Sequence, residues 1–261
     1  IISNTSKTIG LQEGSEGDNI VKDSILIGNS NVYKSNKSII LGDNNTIGKS
    51  SGSAIITPPE TDTSGKNIII SGENNQAINE INTVIVGKEN TVDSSGNTNT
   101  NNNGNIVFGY NNKYYSKNFS GDNKIINENN MLIGDENYLI DSEYSVISGN
   151  DNHISGKNNL IAGNNNKIGT ANEIEGETTA PKVANNTYVL GNTNRIEAHD
   201  NHPITNTYMF GNNHNYNATN GSFIDISNSS TMMFGSYGRV NWNTTNDLSN
   251  QRFIFSTKEK F

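Results

Sequence analysis

Apolar residues in this chain come in threes, and each trio runs into a glycine. Ile25-Leu26-Ile27-Gly28, Ile39-Ile40-Leu41-Gly42 and Val84-Ile85-Val86-Gly87 show the block, and Asn31, Asn45 and Asn90 follow three residues after each glycine. With the glycine as position 0, the block recurs at Gly72, Gly109, Gly134, Gly149, Gly163, Gly191, Gly211 and Gly235. The basic period is 14 to 15 residues, as between Gly134, Gly149 and Gly163. The gap of 30 between Gly42 and Gly72 reads as two periods, with Ala54-Ile55-Ile56-Thr57 a worn copy at its midpoint. Arg252-Phe253-Ile254-Phe255-Ser256 reads as a last copy with Ser in the glycine place. About 13 repeats result, the signature of a stacked repeat architecture.

Such a short, β-branched trio predicts a strand. The glycine permits a turn at positive φ. Asn at +3 is a turn residue that can stack on the Asn of the next repeat. An apolar residue returns at +5, as in Ile47, Val92, Tyr114, Leu139, Ile154, Ile168, Ile196, Tyr216 and Val240, and predicts a shorter strand facing back. Stacked turns pairing in parallel at about 4.8 Å each predict a rod roughly 60 Å long. Strand side chains alternate between faces. The outer two of each trio, such as Ile25 and Ile27, are expected to point into the interior, and the middle one, such as Leu26, to point out. The middle column is Leu26, Ile40, Ile55, Ile70, Ile85, Val107, Leu132, Ile147, Ile161, Val189, Met209, Met233 and Ile254, all apolar. On this reading it is a self-association interface, because so long a stripe exceeds the few hundred Å² a monomer usually shows to water.

Composition narrows the class. Of 261 residues only 31% are hydrophobic, below the roughly 45–50% of an average domain. Such a chain is either disordered or a repeat structure with few, well-placed apolar residues. The net charge of −8, without a Lys/Arg run, argues against nucleic acid and against acidic membrane surfaces as partners. The absence of Cys excludes disulfides and thiolate metal sites. No apolar run approaches the roughly 18 residues of a membrane-spanning helix. The start at Ile1 rather than Met points to a processed product or an excised fragment.

The trio-Gly-x-x-Asn block resembles the head repeat of YadA-type trimeric autotransporter adhesins, with Ser145-Val146-Ile147-Ser148-Gly149 and Ser24-Ile25-Leu26-Ile27-Gly28 nearest to the family core. The resemblance spans about residues 20 to 256. It implies an all-β, left-handed parallel β-roll solenoid assembled as a homotrimer. Residues 1–23 would be a cap or a worn first repeat, and 24–261 the head. It also implies a non-enzymatic protein at the bacterial cell surface, outside the outer membrane. A C-terminal region not in this stretch would anchor it. The expected partners are a host-cell glycoprotein receptor, a CEACAM-type one among them, or a matrix protein. One departure stands out: the family's middle residue is usually Ala, whereas here it is Ile, Leu, Val or Met.

Function on a rigid scaffold concentrates in its loops. Insertions fall at 93–103, 114–128, 170–186, 197–205 and 217–229. The second carries Tyr114, Tyr115 and Phe119, candidate aromatic anchors for a receptor, although Tyr114 also fits the core column. The fourth carries Arg195, His199 and His202, as a binding turn or a solvated one. The two histidines lack the carboxylate or thiolate company of a metal site, so neither a metal nor another cofactor is expected. Asp135-Glu136 sits in a turn and lacks the cleft a catalytic carboxylate pair needs, so no catalytic residue is assigned. A phage tail-fibre rod is the main alternative. A β-helix polysaccharide-degrading enzyme would have longer turns and a core needing no partner. An ice-binding solenoid would need outward Thr ladders.

Overall fold

The computed structural model describes residues 7–8, 25–33, 38–47, 67–78, 80–93, 104–115, 129–169, 184–197, 204–218, 231–237, 239–242 and 252–257. Among these the regular structure is all β, without a helix. The chain forms two compact units: Ile1–Lys117 with Lys124–Asn129, and Asn118–Asn123 with Asn130–Phe261. In each unit the trios build one parallel sheet and the strands after the +3 position build another.

In the first unit the trio sheet runs through Ile25–Ile27, Ile39–Asp43, Ile69–Glu73, Val84–Lys88 and Ile106–Tyr110. Glycine pairs with glycine wherever the ladder reaches it, Gly42 with Gly72, Gly72 with Gly87 and Gly87 with Gly109. The return sheet holds Val32–Tyr33, Thr46–Ile47, Gln76–Ile78, Thr91–Asp93 and Lys113–Tyr115. Lys7–Thr8 pairs with Val32–Tyr33, so the segment 1–23 contributes a further return strand. In the second unit the trio sheet runs from Met131–Ile133 through Val146–Ser148, Leu160–Ala162, Ala184–Leu190, Ile204–Asn212 and Thr231–Ser236 to Arg252–Thr257. Ser256 pairs with Gly235, which makes Arg252–Ser256 the last repeat of the described chain, as expected.

The gap of 30 holds no extra repeat. Ile39–Asp43 pairs directly with Ile69–Glu73, and Asn75 bonds directly to Asn45. Ala54-Ile55-Ile56-Thr57 lies outside the described residues. The long gaps share one position: each opens after a return strand and closes before the next trio, as between Ile47 and Asn67 or Ile168 and Ala184.

The trio faces the opposite way from the sequence-based expectation. The middle residues Ile40, Ile70, Ile85, Val107, Leu132, Ile147, Ile161, Val189, Met209 and Met233 are buried within the single chain. They form the core with Ile47, Ala77, Val92, Tyr114, Leu139, Ile154, Ile168 and Ile196 from the return strands. The middle column is therefore not an interface between chains. Leu26 and Ile254 share its register, opposite Ile40 and Met233, while Ile55 lies outside the described residues. The reason lies one step upstream. Position −4 holds buried Ser38, Thr83, Asn105, Asn130, Ser145, Asn159, Thr187, Thr207 and Thr231. Period-two alternation from that corner puts −2 inside and leaves −3 and −1 outside.

The corners explain why the repeat is so regular. Gly163 has φ 140, Asn165 is left-handed at φ 54, and Asn166 is buried. Half a repeat earlier Gly156 has φ 119, Asn158 has φ 57, and Asn159 is buried, so one turn design serves both corners here. A Cβ on Gly87 would collide with the carbonyl oxygen of Gly109, and its φ of +135 disfavours any L side chain. The +3 asparagines form a closed hydrogen-bond column. Asn90 Nδ2 donates to Asn75 Oδ1 at 3.0 Å and to the Gly109 carbonyl at 2.8 Å. Its own Oδ1 accepts from the Asn112 backbone N–H at 3.1 Å and Nδ2 at 2.9 Å. In the second unit Asn137, Asn152, Asn166 and Asn194 repeat this pattern. The satisfied amides let a polar column sit in the interior without the cost of unpaired groups.

Candidate interaction surface

Removing the middle column from the surface exposes the two columns beside it. On the first unit the outward face of the trio sheet carries Ile39 and Leu41, Ile69 and Ser71, Val84 and Val86, and Ile106 and Phe108. On the second it carries Met131 and Ile133, Val146 and Ser148, Leu160 and Ala162, Tyr188 and Leu190, Tyr208 and Phe210, and Met232 and Phe234. These are no stray exposures: Ile69 is 41% exposed and Leu190 45%. On the second unit Ile133, Val146, Leu160, Tyr188 and Leu190 are exposed side by side on one sheet face, a contiguous apolar patch of the kind that marks an interaction site.

Within this face the side chains change character along the chain. Ser148 and Ala162 are small, but later repeats are aromatic. Tyr188 and Tyr208 stack with ring centroids 5.1 Å apart and an interplanar angle of 7°. Phe210 stacks on Phe234 at 5.1 Å and 9°, and Phe234 on Phe255 at 5.3 Å and 12°. The in-register pairing of Phe210 with Phe234 and Phe234 with Phe255 produces these stacks.

The opposite face contrasts with it. The +4 column of the return sheet is polar or amphipathic, with Thr46, Gln76, Thr91 and Lys113 in the first unit and Tyr138, His153, Lys167 and Arg195 in the second. His153 Nε2 lies 3.1 Å from Asp151 Oδ1, and its ring leans on Tyr138 at 5.8 Å. At a trio-sheet turn in the first unit, Lys88 lies 3.4 Å from Glu73 and 3.7 Å from Glu89. The Glu73 carboxylate holds the Lys88 ammonium above its ordinary range. These exposed pairs favour solvation, each contributing little to stability.

The expected receptor residues separate. Tyr114 is buried in the core, its apolar-column role prevailing, and is not a surface anchor. Tyr115 is half-buried, one place along the same return strand and opposite Asp93. Arg195 is exposed on the return face between Lys167 and Asn215. Phe119, His199 and His202 lie outside the described residues. Among the described residues no three His, Asp or Glu side chains gather as a metal site would require.

Two features escaped the sequence reading. The −4 column was legible as a run of Ser, Thr and Asn before each trio, broken among described repeats by Ile68. Its members bridge repeats: the Ser145 N–H donates to Asn130 Oδ1 at 2.9 Å, and the Thr187 N–H to Asn159 Oδ1 at 3.0 Å. Glu80, a buried carboxylate at the same corner, accepts from Thr83 Oγ1 at 2.6 Å and Asn105 Nδ2 at 3.2 Å. No pattern in the sequence marks it. Comparison with known proteins found no matching family model, no similar curated protein and no similar solved structure.

Proposed function

We propose that this chain is the head of a homotrimeric bacterial surface adhesin, a left-handed parallel β-roll that binds a host-cell glycoprotein or matrix protein without catalysing a reaction. The observation that carries the reading is the apolar outward face of the trio sheet. It lies on a chain whose core is already filled, so it serves contact rather than folding. The polar return sheet suits the solvent side of such an assembly. The single position of all the long insertions suits display of recognition loops from a rigid frame. The trio-Gly-x-x-Asn resemblance supplies handedness, the number three, the cell-surface location and adhesion.

Light scattering on the purified chain is expected to give the mass of three copies. Val86→Asp, on the outward column, should dissociate them into folded single chains, whereas Ile85→Asp should unfold the chain. The intact trimer should bind at least one member of a panel of host surface glycoproteins and matrix proteins. A folded monomer at micromolar concentration would overturn the assembly, and a trimer that binds none of the panel would overturn the adhesin role.

A further inference from the structure

We propose that the corner around Tyr144 binds an uncharged sugar ring, with Tyr144 as its platform and the amides of Asn158 and Asn186 as partners for its hydroxyls. The inference deepens the adhesin reading and rests on it only for the source of the ligand, the glycan of a host glycoprotein. Tyr144 lies five residues before Gly149, at a corner position with a left-handed backbone, φ 52° for Tyr144 itself. Every other described repeat fills that position with Asn or Gly, as at Asn82, Gly104, Asn158 and Asn206. Those residues adopt this conformation at little cost, whereas a bulky side chain is disfavoured there. Backbone preference therefore gives no reason for a tyrosine. Packing gives none either, since Tyr144 is 56% exposed. A strained aromatic that faces solvent from a rigid frame points to contact with a ligand rather than to folding.

The neighbours select the ligand. The Asn158 N–H donates to the Glu143 carbonyl at 2.8 Å, which sets the next corner beside Tyr144. From there Asn158 Nδ2 donates to Asn186 Oδ1 at 3.1 Å, and Asn186 Nδ2 to Asn206 Oδ1 at 3.2 Å. These bonds hold the amides in a row. They leave Asn158 Oδ1 as an acceptor and one N–H each of Asn158 and Asn186 as donors. A pyranose has an apolar C–H face and a rim of hydroxyls that both donate and accept. The Tyr144 ring suits the face, and the amides suit the rim. Charge narrows the class further. Lys157 Nζ is already engaged by Glu143 Oε1 at 2.7 Å, and Asp141 is a second carboxylate at the same corner. Carboxylates thus outnumber the ammonium, which disfavours sialylated and sulfated glycans. A protein partner would call for a wider apolar surround than one ring among amides.

The test is binding of the whole chain to an array of neutral oligosaccharides ending in galactose, glucose or mannose, displayed with sialylated and sulfated counterparts. Wild type is expected to bind at least one neutral oligosaccharide. Tyr144→Asn restores the usual residue of the corner. It should weaken that binding at least about tenfold while the melting temperature stays level or rises. Tyr144→Phe keeps the ring and should bind within about threefold of wild type. Asn158→Gly keeps the left-handed corner, as Gly104 does, but removes the amide and should also weaken binding. Failure to bind any neutral oligosaccharide, binding to charged ones alone, or equal binding by Tyr144→Asn overturns the inference. A lower melting temperature for Tyr144→Asn would show that the ring serves folding, and overturns it too. Host glycoproteins that stay bound after enzymatic removal of their glycans overturn it and leave the adhesin reading standing. A chain that binds neither the array nor the glycoproteins overturns both.

Discussion

Asn90 is the sharpest test of what holds the repeats together. Replacing it with Ala removes the acceptor of two Asn112 donors, the backbone N–H at 3.1 Å and Nδ2 at 2.9 Å. It also removes the donor to the Gly109 carbonyl at 2.8 Å and to Asn75 Oδ1 at 3.0 Å. Asn75 Oδ1 keeps the Asn90 backbone N–H at 3.1 Å, so it is not stranded. That takes the Asn90 acceptor from the Asn112 backbone N–H and the Asn90 donor from the Gly109 carbonyl, each loss worth about 1–3 kcal/mol when buried. A water entering the vacated space restores part of this, so about 3–5 kcal/mol remains. Asn90→Asp is the companion. It keeps an acceptor for Asn112 but turns a carboxylate oxygen toward Asn75 Oδ1 and the Gly109 carbonyl. Burial and those oxygens raise its pKa in the folded chain. The folded chain then binds more protons than the unfolded one, and the stability missing at neutral pH returns as pH falls toward about 4.

Hydrogen exchange read by mass spectrometry on the 104–115 peptide measures this locally. Exchange of the Asn112 amide should accelerate about a hundredfold to a few thousandfold in Asn90→Ala, since each 1.4 kcal/mol is a factor of ten. Exchange at 146–155, in the other unit, should stay unchanged. Acceleration below tenfold at Asn112 would refute the idea that the asparagine column is a cooperative hydrogen-bond chain.

Other expectations follow from the same geometry. Replacing residues 48–66 with a short link like that between Ile154 and Leu160 should leave stability within about 1 kcal/mol, since loop closure depends weakly on length. Unfolding of that variant, followed by circular dichroism and urea titration, would show that Ala54–Thr57 is a repeat after all. His214 takes the Asn place in the second unit, its N–H donating to Asn194 Oδ1 at 3.0 Å. Desolvation lowers its pKa, against smaller raising effects of the Phe210 and Gly235 carbonyls. The unfolded chain therefore binds the proton first, and stability should fall as pH drops below about 6.5. His214→Asn should remove that part of the pH dependence in thermal melts between pH 7.5 and 5.5 (about the window of the shift).

Much of the architecture could be read along the chain because one short-range rule repeats. Glycine at 0, asparagine at +3 and an apolar residue at +5 each answer a local demand, for positive φ, a buried amide and a return strand. The stack follows once those demands recur every 14 or 15 residues. The final repeat at Arg252–Ser256 and the hydrogen-bonded asparagine column followed from that rule alone. Tyr114 could be read two ways, as core or as anchor, and burial settled it.

Three adjacent apolar residues, by contrast, do not state which of them faces inward, since either phase of a two-residue alternation fits. The closed interior makes the choice, with room for one side chain per strand between two polar corners. A trace of that choice was visible in residue size. The middle column varies only among Ile, Leu, Val and Met, as an enclosed column must to avoid voids. The outer columns admit Ser71, Ser148, Ala162 and Phe210, a range only a free face tolerates. Glu80 and the direct junction of Asn45 with Asn75 left no such trace, because both depend on contacts between residues far apart in the chain. Local backbone preference therefore belongs to the one-dimensional chain, whereas the direction of each side chain and the place of each insertion arise only when repeats close over a shared core.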